Sequence, residues 1–164
     1  MMSLPKPLIS MTVAEYLEFE KTSQVRHEYL DGEIYAMSGA SRRHNLVTGN
    51  LHGTLQTRLR GGECEVYIVD VKVYIKPLNI FYYPDIVVAC DPDDSDDYFV
   101  TRPVLVVEVE SPSTSGIDRR EKLLAYRRLA SLREYLLLSQ DASSAEVFRK
   151  DANGECSHEK LRRS

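Results

Sequence analysis

Two short runs of β-branched and apolar residues dominate the hydrophobic pattern of the chain, and both contain carboxylates. Residues 83–89 (YPDIVVA) and 104–110 (VLVVEVE) are bounded by turn formers, which is typical of buried strands. Asp85 lies at the mouth of the first strand, whereas Glu108 and Glu110 share one face of the second. Because a buried carboxylate is costly without a cation or a donor, the pattern indicates either strand ends that reach water or a metal site where two neighbouring strands end.

Before these strands, the pattern predicts a short helix, a hairpin and a long helix. Residues 12–21 predict a helix with Thr12 as N-cap and Glu15 completing a capping box. Asp31-Gly32 predicts the tight turn of a hairpin over residues 29–37. Residues 41–60 predict the long helix, with an apolar stripe and a glycine pair at its end (Val47, Leu51, Leu55, Leu59; Gly61-Gly62).

The remaining segments predict strands around a second long helix. Residues 66–75 form one bent strand or two, because Asp70 interrupts an apolar run. A turn-rich loop over residues 111–116 leads into a helix over residues 118–130. Two further strands are predicted, followed by a polar tail (134–138 and 145–149; 151–164).

Each long helix has one polar residue within its apolar stripe. Lys122 shares a side of the second helix with Tyr126 and Leu129, and His44 shares the stripe of the first helix. A lysine that extends past its neighbours to water and a hydrogen-bonded core histidine are the ordinary interpretations. The alternative is that both side chains point toward the carboxylates of the central strands.

Length and composition predict an ordinary globular protein. The chain has 164 residues and an apolar fraction of 43%, which favours a single domain over residues 1–164 with a core of about residues 11–150. Neither a signal-peptide core nor an apolar run long enough to span a membrane is present. The three cysteines (Cys64, Cys90, Cys156) are scattered and form no CxxC pair, so we expect neither a zinc knuckle nor a disulfide framework, and a reducing cytoplasm.

Charge is unevenly distributed along the chain. The net charge of −4 argues against a general nucleic-acid coat protein. Five aspartates fall within residues 91–97, which indicates a solvated connection. Six basic residues against two acidic ones fall within residues 118–133. That local excess is compatible with a phosphate-bearing partner.

The order of these motifs resembles the Uma family of the PD-(D/E)XK, or restriction-endonuclease-like, superfamily. The resemblance runs from about residue 11 to residue 149 and rests on the following segments: Gly32-Glu33, His44 on a helix, residues 83–88, residues 106–114, Asp118-Arg119 with Lys122 and Tyr126, and Glu134-Tyr135. It implies an α+β or α/β fold with an αβββαβ core. The mixed central sheet would be flanked by helices and preceded by a helix and a β-hairpin.

The resemblance also assigns site residues. Asp85 matches the superfamily aspartate and Glu108 the (D/E) position, both as metal ligands. Glu110 occupies the usual lysine position, and Lys122 matches the lysine that Uma members carry on the following helix. His44 lies on the helix where some superfamily enzymes place an extra acidic ligand, and Glu33 is a second candidate for that ligand.

The implied activity is a Mg²⁺- or Mn²⁺-dependent endonuclease, because carboxylate oxygens are the ligands these ions prefer. We expect a nucleic-acid partner, DNA rather than RNA, no membrane partner and a cytoplasmic protein; a homodimer is left open. A nucleic-acid-binding or assembly protein that keeps the fold without activity is the alternative, since Glu110 replaces a lysine. A doubly wound nucleotide-binding enzyme is disfavoured, because no glycine-rich loop follows any strand.

Overall fold

Strands account for most of the regular structure in the computed structural model, which describes residues 9–111 and 118–162. In chain order, the strands within those ranges are β1 (His27–Leu30), β2 (Glu33–Ala36), β3 (Glu65–Ile68), β4 (Lys72–Ile75), β5 (Ile80–Tyr82), β6 (Ile86–Ala89), β7 (Phe99–Val100), β8 (Pro103–Glu110), β9 (Glu134–Ser139), β10 (Ser144–Lys150) and β11 (Cys156–Arg162). The helices are α1 (Val13–Thr22), α2 (Arg42–Leu59) and a π-helical turn, Asp118–Lys122, that continues into α3 (Leu123–Tyr126). The start of the chain and most of the predicted loop over residues 111–116 lie outside the described residues.

The strands form two mixed sheets. The larger sheet has the order β11-β10-β9-β8-β6-β3, and the smaller one has the order β2-β1-β5-β4-β7. Neighbours are antiparallel except for the β8–β9 and β4–β7 pairs, which are parallel. Strand β6, which Asp85 directly precedes, and strand β8, which carries Glu108, are therefore adjacent in the interior of the larger sheet, as the sequence predicted.

The chain passes between the two sheets at two neighbouring connections, from β3 to β4 and from β5 to β6. Residues 66–75 form two strands rather than one, because Val69 takes a positive φ of 61° and the chain turns at Asp70. The return path passes from β5 to β6 through Tyr83-Pro84-Asp85. The Val69 N–H donates to the Asp85 carbonyl at 3.0 Å, so the two crossings are joined. Asp85 consequently lies at the corner between the sheets.

The N-terminal helix and hairpin form as predicted. Thr12 and Glu15 make the reciprocal bonds of a capping box, and the hairpin turns at Asp31 and Gly32, both with positive φ. Tyr16 of α1 packs against Tyr29 of β1 with ring centroids 4.9 Å apart. The helix and hairpin therefore share a second, largely aromatic core, which Ile34 of β2 and Phe81 of β5 complete.

The two longer helical segments differ from each other in burial. Helix α2 begins after the Ser41 N-cap, and its predicted apolar stripe is only half-buried. Thr48, which is not part of that stripe, is the one buried residue of the helix. The helical segment that begins at Asp118 ends at Tyr126, earlier than the predicted residue 130. Beyond Tyr126, hydrogen bonds from N–H groups to the carbonyls three residues earlier largely replace the four-residue spacing of an α-helix. Lys122, Tyr126 and Leu129 are all buried, so the predicted stripe is present.

The expectation that the cysteines would form no disulfide was wrong. Cys64 and Cys90 form a disulfide, and Cys156 is free and exposed. Cys64 directly precedes β3 and Cys90 directly follows β6, whose antiparallel register pairs Glu65 with Ala89. Two cysteines that are 26 residues apart in sequence are thus brought opposite one another across neighbouring strands.

The C-terminal segment is also more ordered than the sequence pattern predicted. Gly154, with φ of 84°, helps the chain reverse, and β11 pairs with the whole of β10. The side chains of β11 are exposed, so the strand has no apolar alternation from which it could be recognised. Among the helices of the described ranges, none has the length and apolar character needed to cross a membrane.

Candidate active site

Asp85 and Glu108 lie at the same end of two paired strands. Ile86 of β6 pairs with Val107 of β8, and Asp85 and Glu108 are the next residues beyond that pair. The Asp85 Oδ2 atom accepts a hydrogen bond from the Val109 N–H at 2.7 Å. Burial raises the pKa of the Asp85 carboxyl above its ordinary value, while the Val109 N–H, His44 and Lys122 act against that rise. The carboxylate therefore lies where a further cation would stabilise its charge.

His44 contacts Asp85 from the first turn of α2. The Ser41 hydroxyl accepts the His44 N–H, as expected for an N-cap, and Ser41 also donates to Gln140 in the β9–β10 connection. With the helix start held in this way, His44 Nε2 lies 3.2 Å from Asp85 Oδ2. Of the two candidates for an extra site residue, His44 is the one that the structure brings to Asp85.

Lys122 is buried between two glutamates. Its Nζ atom lies 3.3 Å from Glu108 Oε1 and 2.9 Å from Glu28 Oε1. The Tyr126 hydroxyl, one turn further along the helical segment, lies 3.3 Å from the same Glu108 oxygen. Lys122 Nζ is also 5.1 Å from the centroid of the Tyr82 ring. The sequence placed Lys122 inward on its stripe, and the structure brings it to Glu108.

Glu28 is the site residue that sequence reasoning missed. It lies on β1, directly after the buried His27 and opposite Tyr35 of β2. In the alternating pattern of a hairpin, this position faces away from the aromatic core and would ordinarily meet solvent. Here the helical segment that carries Lys122 covers it, and the Glu28 side chain is only 18% exposed.

Glu33 and Glu110 have different surroundings. Glu33 is exposed, and its carboxylate accepts the Tyr35 hydroxyl at 2.6 Å. Glu110 is the half-buried last residue of β8, on the face of Glu108, and pairs with Ser139 of β9. The structure thus places Glu110 beside the site and Glu33 on the surface of the hairpin.

The donor set fits a hard divalent cation that keeps part of its water shell. Within the described residues, no group of three or more His, Cys, Asp or Glu side chains is arranged to hold an ion by protein ligands alone. Mg²⁺ is usually bound through one or two carboxylates together with water and substrate phosphate. Lys122 contacts two carboxylates, Glu28 and Glu108, and acts on the nearby Asp85 through its charge, so the negative charge of these three carboxylates also favours a cation.

Several known proteins are similar to this chain in sequence or in structure. A family profile described as "Putative restriction endonuclease" (Uma2) matches residues 13–163. Two Synechocystis sp. proteins, both named as uncharacterized, are 37% identical over 91% of this chain and 79% of their own length, and 35% identical over 85% and 81%. A crystal structure from Anabaena variabilis, titled a putative nuclease belonging to DUF820, matches with a TM-score of 0.71 at 14% identity, covering 90% of this chain and 84% of that one.

These matches confirm the predicted family and the predicted fold class. The profile spans nearly all of the chain, and the structural match covers 90% of it. The chain belongs to the Uma2 family and has a restriction-endonuclease-like fold.

Proposed function

We propose that this protein is a metal-dependent endonuclease that hydrolyses phosphodiester bonds of DNA. The observation that carries the proposal is the meeting of Lys122 with Glu108, beside Asp85, at the corner between the two sheets. A lysine and two carboxylates at the end of paired strands supply a hard ion site and a fixed positive charge. Both kinds of group promote phosphodiester hydrolysis.

In this proposal, Asp85 and Glu108 hold Mg²⁺ or Mn²⁺. When bound, the ion polarises the phosphate and lowers the pKa of a water molecule. The Val109 N–H and His44 orient the Asp85 carboxylate, and the Tyr126 hydroxyl orients that of Glu108. Lys122 Nζ is then the protein cation that can hold the attacking water or stabilise negative charge on the phosphate oxygens.

The binding of nucleic acid would use exposed arginines around the helical segment. Arg120, Arg127, Arg128 and Arg133 are exposed on the side away from the buried stripe. Such residues bind backbone phosphates and do not read sequence. DNA as substrate would place the protein in the cytoplasm, where thiols are kept reduced and the Cys64–Cys90 disulfide would be open to reduction.

A second candidate function is nucleic-acid binding without cleavage. Its support is Glu110, which occupies the position of the usual superfamily lysine, together with the net charge of −4. The two functions differ in one measurable property, which is metal-dependent strand cleavage.

The test is nicking of a supercoiled plasmid by the wild type and by Asp85→Ala, each with Mg²⁺, Mn²⁺ or excess chelator. We expect the wild type to nick with either metal and to be inactive in chelator, and we expect Asp85→Ala to be folded and inactive. Equal nicking by both proteins would identify a contaminant. Absence of cleavage of both DNA and RNA by the wild type would favour the binding function.

A further inference from the structure

We infer that Glu28 is a positioning residue, which holds the Lys122 ammonium in place while Glu108 binds the metal. The inference rests on the proposed nuclease function and deepens it. It assigns a role to the N-terminal helix and hairpin, which contribute Glu28 to a site whose other residues come from α2, the segment before β6, β8 and the helical segment.

The contacts of Lys122 divide unequally between its two carboxylates. Glu28 Oε1 is the nearer partner, at 2.9 Å, in an ion pair that lacks hydrogen-bond geometry, whereas Nζ donates a hydrogen bond to Glu108 Oε1 at 3.3 Å. The Glu108 oxygen is also shared with the Tyr126 hydroxyl. A carboxylate that turns an oxygen toward a metal ion contributes less to a neighbouring ammonium. Glu28 has no such second task in the proposed mechanism, so it is the partner that can keep Lys122 in place throughout.

Lys122 needs such a partner because its side chain is long. A lysine carries a compact charge on a flexible four-carbon chain, and fixing its rotamers costs about 2 kcal/mol of conformational entropy. Two carboxylates and the face of the Tyr82 ring surround Nζ on different sides. Loss of Glu28 would remove the nearer of the two carboxylates from the ammonium, which would widen the range of positions open to it.

The strand that carries Glu28 is held by a buried polar network behind the hairpin. The preceding residue, His27, contacts Glu20 of α1 through Nδ1 at 2.7 Å. The other Glu20 oxygen accepts the Tyr83 hydroxyl, also at 2.7 Å, and Tyr83 lies two residues before Asp85. One buried carboxylate therefore connects the strand that carries Glu28 to the segment that carries Asp85. This network fixes the hairpin relative to the rest of the site.

The experiment compares Glu28→Gln and Glu28→Asp with the wild type in plasmid nicking and in Mn²⁺ binding. We expect Glu28→Gln to lower kcat by about 10- to 100-fold, as replacement of an outer-shell partner typically does, with KM for DNA and Mn²⁺ affinity within about twofold of the wild type. We expect Glu28→Asp to recover part of the loss, because it keeps the charge. A tenfold loss of Mn²⁺ affinity in Glu28→Gln would make Glu28 a metal ligand and overturn the inference.

The matched control is Glu18→Gln. Glu18 forms a slightly closer ion pair with Lys21, at 2.7 Å against 2.9 Å, but both side chains are on the surface. Exposed pairs of this kind contribute little, so we expect nicking by this variant to equal that of the wild type. A loss in Glu18→Gln as large as that in Glu28→Gln would contradict a specific role for Glu28.

The double variant Glu28→Gln/Lys122→Ala tests whether Glu28 acts through Lys122. We expect its cleavage rate to equal that of Lys122→Ala alone, because there is no ammonium left to position. Losses that multiply would show that Glu28 acts independently and would overturn the inference.

If the wild type cleaves nothing, the proposed function fails, but the pairing of Glu28 with Lys122 can still be tested by stability measurements. The melting temperatures of the two single variants and the double variant then measure the coupling of the pair. We expect the double variant to lose clearly less than the sum of the two single losses, since each single change leaves one buried charge without this partner. Additive losses would overturn the inference.

Discussion

His44 Nε2 lies 3.2 Å from Asp85 Oδ2, and this contact joins the first turn of α2 to the corner between the two sheets. The other contact of that carboxylate oxygen is the Val109 N–H, at 2.7 Å. Asp85 is therefore oriented by one fixed backbone donor and by one side chain that a substitution can remove.

We expect His44→Gln to lower the cleavage rate by about tenfold and to weaken Mn²⁺ binding, because partners that orient a metal-ligating carboxylate typically contribute 10- to 100-fold. Plasmid nicking and Mn²⁺ titration measure the two effects. His52→Gln is the matched control on the same helix, where the histidine is half-buried but not in the site. Equal rates for His44→Gln and the wild type would mean that the Val109 N–H alone orients Asp85.

Asp85→Asn should stabilise the protein at neutral pH while it abolishes cleavage. Burial raises the pKa of the Asp85 carboxyl, which means that the folded state disfavours the ionised group, and the amide removes that cost. We expect the melting temperature without metal to rise by a few degrees. Mg²⁺ should raise the melting temperature of the wild type but not that of the variant. An equal response of both proteins to Mg²⁺ would place the ion elsewhere.

Lys122→Ala should lower kcat more than it lowers metal affinity, because its proposed role is on the water and the transition state. Glu110→Lys restores the usual superfamily lysine on the face of β8 that carries Glu108. We expect the added lysine to restore part of the rate lost in Lys122→Ala. Single-turnover cleavage of a labelled duplex compares the two proteins, and a double variant no faster than Lys122→Ala would show that the two positions cannot serve the same water.

Tyr82 allows the roles of an aromatic ring and of its hydroxyl to be separated. The ring lies beneath Lys122 Nζ, while the hydroxyl is buried without a hydrogen-bond partner among the described residues. Tyr82→Phe should therefore keep both activity and stability, since it removes an unsatisfied polar group. Tyr82→Leu should lose about 2 kcal/mol of unfolding free energy and several-fold in cleavage rate. Chemical denaturation and nicking assays report the two quantities, and a large loss in Tyr82→Phe would assign the function to the hydroxyl.

Lys72 should make the stability of the protein depend on pH in the alkaline range. The residue is buried beneath the Tyr83 ring, and burial lowers the pKa of its ammonium from the ordinary 10.5. The folded state therefore disfavours the charged form, and this cost is fully present at neutral pH. It is relieved as the pH rises from the folded pKa toward 10.5. We expect Lys72→Met to melt at a higher temperature than the wild type near pH 7 and the difference to shrink toward pH 10. A difference that is constant with pH would contradict this account.

The sequence by itself determined the features that depend on neighbouring residues. The capping box of Thr12 and Glu15 and the Asp31-Gly32 turn are local hydrogen-bond and backbone preferences, and both form where predicted. Hydrophobic periodicity predicted the valine-rich strands and the buried stripe of Lys122, Tyr126 and Leu129, because it shows which residues of one element share a face. The family resemblance, confirmed by the profile match, added Asp85, Glu108 and Lys122 as one group.

Only the tertiary structure decided which distant residues join that group. Glu28 occupies an ordinarily solvent-facing position of a hairpin, and it enters the site because a helical segment from residues 118–126 lies over it. The separation of β3 from β4, the Cys64–Cys90 bond and the exposed strand β11 likewise depend on which strands become neighbours. Glu33, which the motif placed near the site, lies at the surface instead. Local pattern sets the direction of a side chain relative to its own strand or helix, whereas the group it meets is set by the packing of elements far apart in the chain.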